Sequence, residues 1–223
     1  MIKAVIFDLG NVIFLPHGHE KKKALLANHL DGNAKAPDFE EFLAIYSEHR
    51  LEFDRGATTI EEYWTKVLGQ AELPQSEAII KSFINSDLQD WTMINMDVLS
   101  WHGTLRKGGY KTAVLSNLPE WFGNFYRNNF SWLNAFDTLI FSCDVKIIKP
   151  EPEIYSICLK NLGVDPEEAL FFDDMEININ GAKQIGINAE LFISAERTIP
   201  QAAIKYSLPH NIPLTASHRK GPN

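Results

Sequence analysis

Five short apolar runs spaced along the chain restrict its fold more than any other feature. The first, Ile2 to Phe7, is β-branched and almost unbroken, as a strand buried on both faces of a parallel sheet must be. Thr112 to Ser116, Thr138 to Ser142, Ala169 to Asp173 and Gly186 to Phe192 repeat the pattern. Between them lie stretches with helical apolar spacing: Val98 to Arg106, Pro152 to Leu162 and Glu176 to Ile185. Strands alternating with helices predict βαβ units, hence an α/β fold with a Rossmann-like, doubly wound parallel sheet.

The alternation breaks between the first run and the second. From about Glu20 to Met96 the apolar spacing is mostly helical, in Phe39 to Tyr46, Ile60 to Leu68 and Glu77 to Ile84. Phe53-Asp-Arg-Gly56, then Thr58 or Thr59 ahead of Glu61-Glu62, reads as a turn followed by a helix N-cap. The expected organisation is an α/β core of residues 1–16 and 97–206 around an inserted helical segment of residues 17–96. Residues 207–223 carry Pro, His and Gly without periodicity and read as a surface tail. A chain of 223 residues suits one larger domain or a core with an insertion.

Several function classes fall away on charge and composition. A formal net charge of −8 argues against a nucleic-acid partner. No apolar run approaches the roughly 18 residues that span a bilayer, so no membrane partner is expected. Cys143 and Cys158 have neither metal-ligand nor disulfide spacing, and no signal peptide is evident, which makes the cytoplasm the expected location. Oligomeric state is open between monomer and homodimer, with the aromatic group Trp121, Phe122, Phe125, Tyr126, Phe130 and Trp132 read as packing surface.

In open parallel sheets ligands bind beyond the carboxyl ends of the strands. Three of the runs finish there in polar residues: Asp8, Ser116-Asn117 and Asp173-Asp174. Lys149-Pro150 sits in the loop after the Thr138 run, just ahead of a helix. A carboxylate, a carboxylate pair, a hydroxyl and a lysine converging on one edge make a coherent phosphate site. Asp8 with Asp174 or Asp173 supplies the anionic ligands that Mg²⁺ prefers, while Ser116 and Lys149 hold phosphoryl oxygens. Asp8 is then free to attack phosphorus. Asn117 and Asn178 read as supporting residues or helix caps, with Asn117 placed beside the substrate.

Asp8 within FDLGNV, Ser116 within VLSN, Lys149-Pro150 within KPEPEIY and Asp173-Asp174 within FFDDMEININGAKQIGI resemble, in order, the four motifs of the haloacid dehalogenase-like hydrolase superfamily. The resemblance covers nearly the whole chain, the helical insertion being similar to that family's C1-type cap. It implies an aspartyl-phosphate formed on Asp8, phosphoryl contacts from Ser116 and Lys149, and Mg²⁺ held by Asp8, by Asp174 with Asp173 in support, and by the main-chain carbonyl of Gly10. The FDLGNV and FFDD variants most resemble the sugar-phosphate phosphatase branch, which includes glucose-1-phosphate phosphatases.

Gly10 departs from the pattern. Phosphatases of the family usually carry there a second aspartate, which protonates the leaving oxygen and then activates water; the loss of such a group is worth ~10²–10⁴-fold. His17 and His19, just past the first strand, are candidates for the missing acid, and His17 is placed at the substrate. The expected function is Mg²⁺-dependent hydrolysis of a small phosphorylated metabolite. The alternatives are a catalytically weak or silent member that binds a phosphorylated ligand or protein, and a 2-haloacid dehalogenase, which the carboxylate pair disfavours.

Overall fold

The computed structural model describes residues 1–15, 18–30 and 37–210. In chain order the elements are β1 (Ala4–Phe7), β2 (Phe14–Leu15), α1 (Glu20–Leu30), α2 (Phe39–Glu48), α3 (Arg50–Asp54), α4 (Ile60–Gln70) and α5 (Glu77–Asp90). They continue with β3 (Met93–Ile94), α6 (Met96–Lys107), β4 (Lys111–Ser116), α7 (Glu120–Asn129), β5 (Thr138–Phe141) and α8 (Ser142–Val145). The last are α9 (Pro152–Leu162), β6 (Ala169–Asp173), α10 (Glu176–Gln184), β7 (Asn188–Leu191) and α11 (Ala195–Tyr206).

The five expected runs pair in the order β5-β4-β1-β6-β7, with every neighbouring pair parallel. β1 is central because its residues are apolar on both faces. Ala4 and Ile6 join Ala113, Leu115 and Phe171 against Ile154, Tyr155 and Cys158 of α9 and Ile179 and Ala182 of α10. Val5 and Phe7 face the other way, with Val114, Leu170 and Phe172 against Trp101 and Leu105 of α6 and Ile199 and Ala202 of α11. The period of two in a strand splits one apolar run between two cores. Phe7, Trp101 and Phe172 pack edge-on and stacked at centroid distances of 5.4–5.9 Å. Register therefore places the ends of β1, β4 and β6 on one edge.

The helices α1 to α5 form the segment between β2 and β3. Thr59, not Thr58, caps α4, closing a box in which its hydroxyl accepts from Glu62 N and Glu62 accepts from Thr59 N. Phe53-Asp54, expected as the start of a turn, instead ends the short helix α3, and the turn follows at Arg55-Gly56. Where the chain passes into and out of this segment, β2 and β3 pair antiparallel, Phe14 with Ile94 and Leu15 with Met93. Two-residue strands carry no periodicity, so the sequence gives no sign of this ribbon. No helix among the described residues is long and apolar enough to cross a membrane.

His102 on α6 is buried, stacks on Phe136 at 3.9 Å and meets Thr112 Oγ1 through Nε2 at 3.1 Å. Burial pushes its imidazole down to about 4, with Arg106 acting in the same direction. A depressed histidine contributes stability that is present above its unfolded value of ~6.5 and is lost as pH falls towards the folded value. Between pH 7 and 5, native protein should therefore lose about 2 kcal/mol more than His102→Gln. Urea denaturation of both proteins at the two pH values measures the difference; equal losses would place the imidazole in a more open site.

Candidate active site

Asp8 is the first residue past β1, held there by its N–H donating to Phe172 O at 2.9 Å. Lys149 comes from the loop between α8 and α9 and is 2% exposed. Its Nζ lies 2.9 Å from Asp8 Oδ1 and 2.6 Å from Asp173 Oδ2, so one ammonium bridges the ends of two neighbouring strands. Asn117 fixes that loop by accepting from Lys149 N at 2.7 Å and donating to Lys149 O at 3.0 Å. Asn117 thus supports Lys149 from behind. Ser116 ends β4 beside Phe141 and is buried, and its hydroxyl has no hydrogen-bond partner among the described residues.

The two adjacent aspartates separate clearly. Asp173 is fully buried: its Oδ1 accepts from Met175 N at 2.8 Å, Asn178 Nδ2 reaches both of its oxygens at 3.0 and 3.1 Å, and Lys149 takes Oδ2. Its lone pairs are engaged in holding the turn into α10 and the lysine. Asp174 is partly exposed and has one side-chain partner among the described residues, Asn11 Nδ2, at 2.7 Å from Oδ2. Asn11 is a site residue that sequence reasoning missed. Its φ of 55° is a left-handed conformation that asparagine tolerates, and the Gly-Asn pair is a turn signal, but a partner 163 residues away leaves no local trace.

Carboxylate oxygens of Asp8, Asp173 and Asp174 all lie within 4.8 Å of one another. Three carboxylates against one lysine leave an excess of negative charge in a buried place, and the electrostatics reflect it. Burial pushes the Asp8 carboxyl up to about 7, with Lys149 pulling it down and Asp173 and Asp174 pushing it further up. Asp174 is raised by burial as well, against the hydrogen bond from Asn11. Burial opposes the charge on Lys149, but Asp173 and Asp8 outweigh it and hold the ammonium above its ordinary value. The donor set is all oxygen and anionic, which fits a hard divalent cation such as Mg²⁺, and such a cation would favour the ionised Asp8.

Gly10 follows in the loop after Asp8. A Cβ there would meet only Trp91 Cζ3, at 3.6 Å, so the site has room for a side chain that the sequence does not supply. His17 lies outside the described residues. His19 is committed elsewhere, with Nδ1 2.8 Å from Asp90 Oδ2. The aromatic group after β4 packs about Phe14, with Phe122 and Tyr126 buried and the Tyr126 hydroxyl donating to Trp91 O at 3.0 Å.

Known proteins resemble this chain in sequence and in fold. Mouse acyl-CoA dehydrogenase family member 10 is 29% identical over 221 residues, covering 91% of this chain and 18% of its own length. Pig bifunctional epoxide hydrolase 2 is 28% identical over 200 residues, covering 83% of this chain and 35% of its own. The chain therefore spans about a fifth to a third of these larger relatives. The putative phosphatase YhcW of Bacillus subtilis is nearer in size, 24% identical over 203 residues with 84% and 81% of the two chains covered. The fold matches that of the enzyme BT-2542 of Bacteroides thetaiotaomicron, solved with magnesium and inorganic phosphate, at a TM-score of 0.66 and 24% identity over 86% of this chain and 94% of that one. The profile of the haloacid dehalogenase-like hydrolases matches residues 2–186, from the strand that delivers Asp8 to the helix that follows Asp174, and the chain belongs to that family.

Proposed function

We propose that the chain is a Mg²⁺-dependent phosphatase of small phosphomonoesters, sugar phosphates among them, acting through a phosphoryl group carried on Asp8. The observation that carries this reading is the Lys149 ammonium between Asp8 and Asp173, with Asp174 beside them. It is a site with one cation for the phosphoryl oxygens and a carboxylate surplus for a metal. A magnesium-bound phosphatase chemistry also agrees with the relative YhcW and with the contents of the BT-2542 structure.

When bound, Mg²⁺ would be held by Asp8, Asp174 and the Gly10 carbonyl, and it would neutralise charge on the phosphoryl group and on the attacking carboxylate. Asp8 attacks phosphorus through one of its carboxylate oxygens. Lys149 neutralises the equatorial oxygens as the group transfers, and the Ser116 hydroxyl donates to one of them. Asp173 keeps the lysine in place, and Asn117 fixes its loop. The helices α1 to α5 act as a cap that closes over the leaving group and excludes water.

Turnover of p-nitrophenyl phosphate with and without Mg²⁺ is the direct test. Metal-dependent release of p-nitrophenol is expected, and its absence would favour a silent ligand-binding member, which the missing side chain at Gly10 supports. Asp174→Asn should raise the Mg²⁺ concentration needed for half-maximal rate by at least about tenfold with the fold intact. Asp173→Asn should act mainly on stability, because it disturbs the bonds to Lys149, Met175 N and Asn178. A similar metal requirement in both variants would show that the pair binds the ion jointly.

A further inference from the structure

The helical segment encloses charges that the reading above leaves unused. Lys22 is fully buried, with Nζ 2.9 Å from Asp87 Oδ1 and 3.0 Å from Asp90 Oδ2. Asp87 Oδ1 also accepts from the Tyr46 hydroxyl at 2.7 Å, and that hydroxyl accepts from Arg50 Nη1 at 3.0 Å. Arg50 ends this series of contacts at Asp54, its Nη2 2.7 Å from Oδ1. Asp87 and Asp90 are thereby locked to Lys22. Asp54 is not: its side chain is 12% exposed, and among the described residues Arg50, on Oδ1, is its one side-chain partner.

The position of Asp54 is set from the sheet side. Its main-chain carbonyl accepts from the buried Ser142 Oγ, which itself accepts from Leu118 N at 2.8 Å. Ser142 directly follows Phe141, the register partner of Ser116, so this anchor lies at the edge that carries Asp8. The next two residues hold the same loop: Arg55 Nη1 donates to Glu151 Oε2 at 3.0 Å, and Lys146 Nζ donates to Gly56 O at 3.0 Å. Gly56 permits the contact, since at φ 70° it takes a left-handed conformation and a Cβ would stand 2.6 Å from that ammonium. Residues 54–56 are thus seated on the stretch from Ser142 to Glu151, which delivers Lys149. On the other flank, Trp91 lies over Gly10.

We propose that Asp54 is the acid and base of the reaction, reaching in from the helical segment to do what a side chain at position 10 would otherwise do. The inference rests on the phosphatase reading. As Asp8 bonds to phosphorus, the bond from phosphorus to the leaving oxygen breaks, its electron pair stays on that oxygen, and the proton of the Asp54 carboxyl passes to it to give the alcohol. In the second step the Asp54 carboxylate takes a proton from water while the water oxygen bonds to phosphorus. The Asp8 oxygen to phosphorus bond breaks, returning the Asp8 carboxylate and inorganic phosphate. Burial raises the Asp54 carboxyl above its ordinary range; Arg50 on its own helix opposes this, Asp87 on α5 adds to it and Lys149 opposes it from the core. Among the described residues, Tyr63 on α4 and Tyr46 on α2 also feel the charge of Asp54.

The test is the dependence of kcat/KM, which reports transfer of the phosphoryl group to Asp8, on the leaving group. With Mg²⁺ saturating, Asp54→Asn should lose about 10²–10⁴-fold more in kcat/KM on an alkyl phosphate such as glycerol phosphate than on p-nitrophenyl phosphate, while kcat falls on both because the second step loses its base. Asp54→Glu should recover part of the alkyl rate. Gly10→Asp in the Asp54→Asn background should recover it as well, since the new Cβ meets only Trp91, at 3.6 Å. Equal losses in kcat/KM on both esters, no loss on either, or recovery by neither second change would return Asp54 to an ion-pair role. A native protein inactive on p-nitrophenyl phosphate would overturn the phosphatase reading and this inference together. Activity on that ester with an unselective Asp54→Asn would overturn the inference alone.

Discussion

Asp8→Asn is expected to lose about 10⁴–10⁶-fold in kcat on p-nitrophenyl phosphate, the scale seen when a nucleophile is removed from a site that otherwise stays assembled. The amide keeps the shape of the carboxylate and cannot form the phosphoryl ester. The fold should not suffer. Burial makes the ionised Asp8 carboxyl costly, so a neutral group of the same size relieves that cost in the metal-free protein. Urea denaturation should give a midpoint equal to or above that of native protein. Fluoroberyllate, a phosphate mimic, should bind native protein in the presence of Mg²⁺ and fail to bind the variant. A variant that is active and traps the mimic would remove Asp8 from the chemistry.

Lys149→Ala should produce the largest combined loss. The ammonium is buried between Asp8 and Asp173, and removing it leaves two carboxylates at the same buried edge without their common counter-charge. Breaking such a pair from one side costs about 3–5 kcal/mol. The rate should fall by about 10²–10³-fold as the transferring group loses its positive partner. The two effects separate in a cycle. Adding Asp8→Asn to Lys149→Ala should restore part of the stability, because one of the stranded charges disappears, while activity stays lost. Strictly additive stabilities would mean that Lys149 and Asp8 are energetically independent despite their 2.9 Å separation.

The parallel sheet was legible because each strand is an apolar run of the right length, and the alternation of its residues between two cores makes a register shift costly. The convergence of Asp8, Lys149 and the aspartate pair follows from that sheet, since strand ends in parallel pairing share an edge. Boundaries were less legible. Ser142 continues the apolar run of β5, yet it begins α8 because its hydroxyl is engaged by Asp54 O and Leu118 N. The difference between Asp173 and Asp174 has no counterpart in a pair of identical letters. It arises from Asn178 and Met175 N on one side and Asn11 on the other. Lys22 lies in a run of three lysines, and the carboxylates that hold it as a buried ion are 65 and more residues away, so nothing local marks it.

The ribbon of β2 and β3 has a consequence for what this architecture can become. Because Phe14 pairs with Ile94 and Leu15 with Met93, the outgoing and returning strands lie side by side, about 5 Å apart as antiparallel partners do. To the sheet, everything between them is a loop whose ends already meet. Any helical unit with termini at that spacing could be transplanted onto the ribbon without moving the strand that carries Asp8, so leaving-group preference could diverge among proteins that keep one phosphoryl site. Under our reading one restriction travels with the graft: it must bring its own carboxylate to the place that Asp54 fills, or be joined to a core whose tenth residue is no longer glycine.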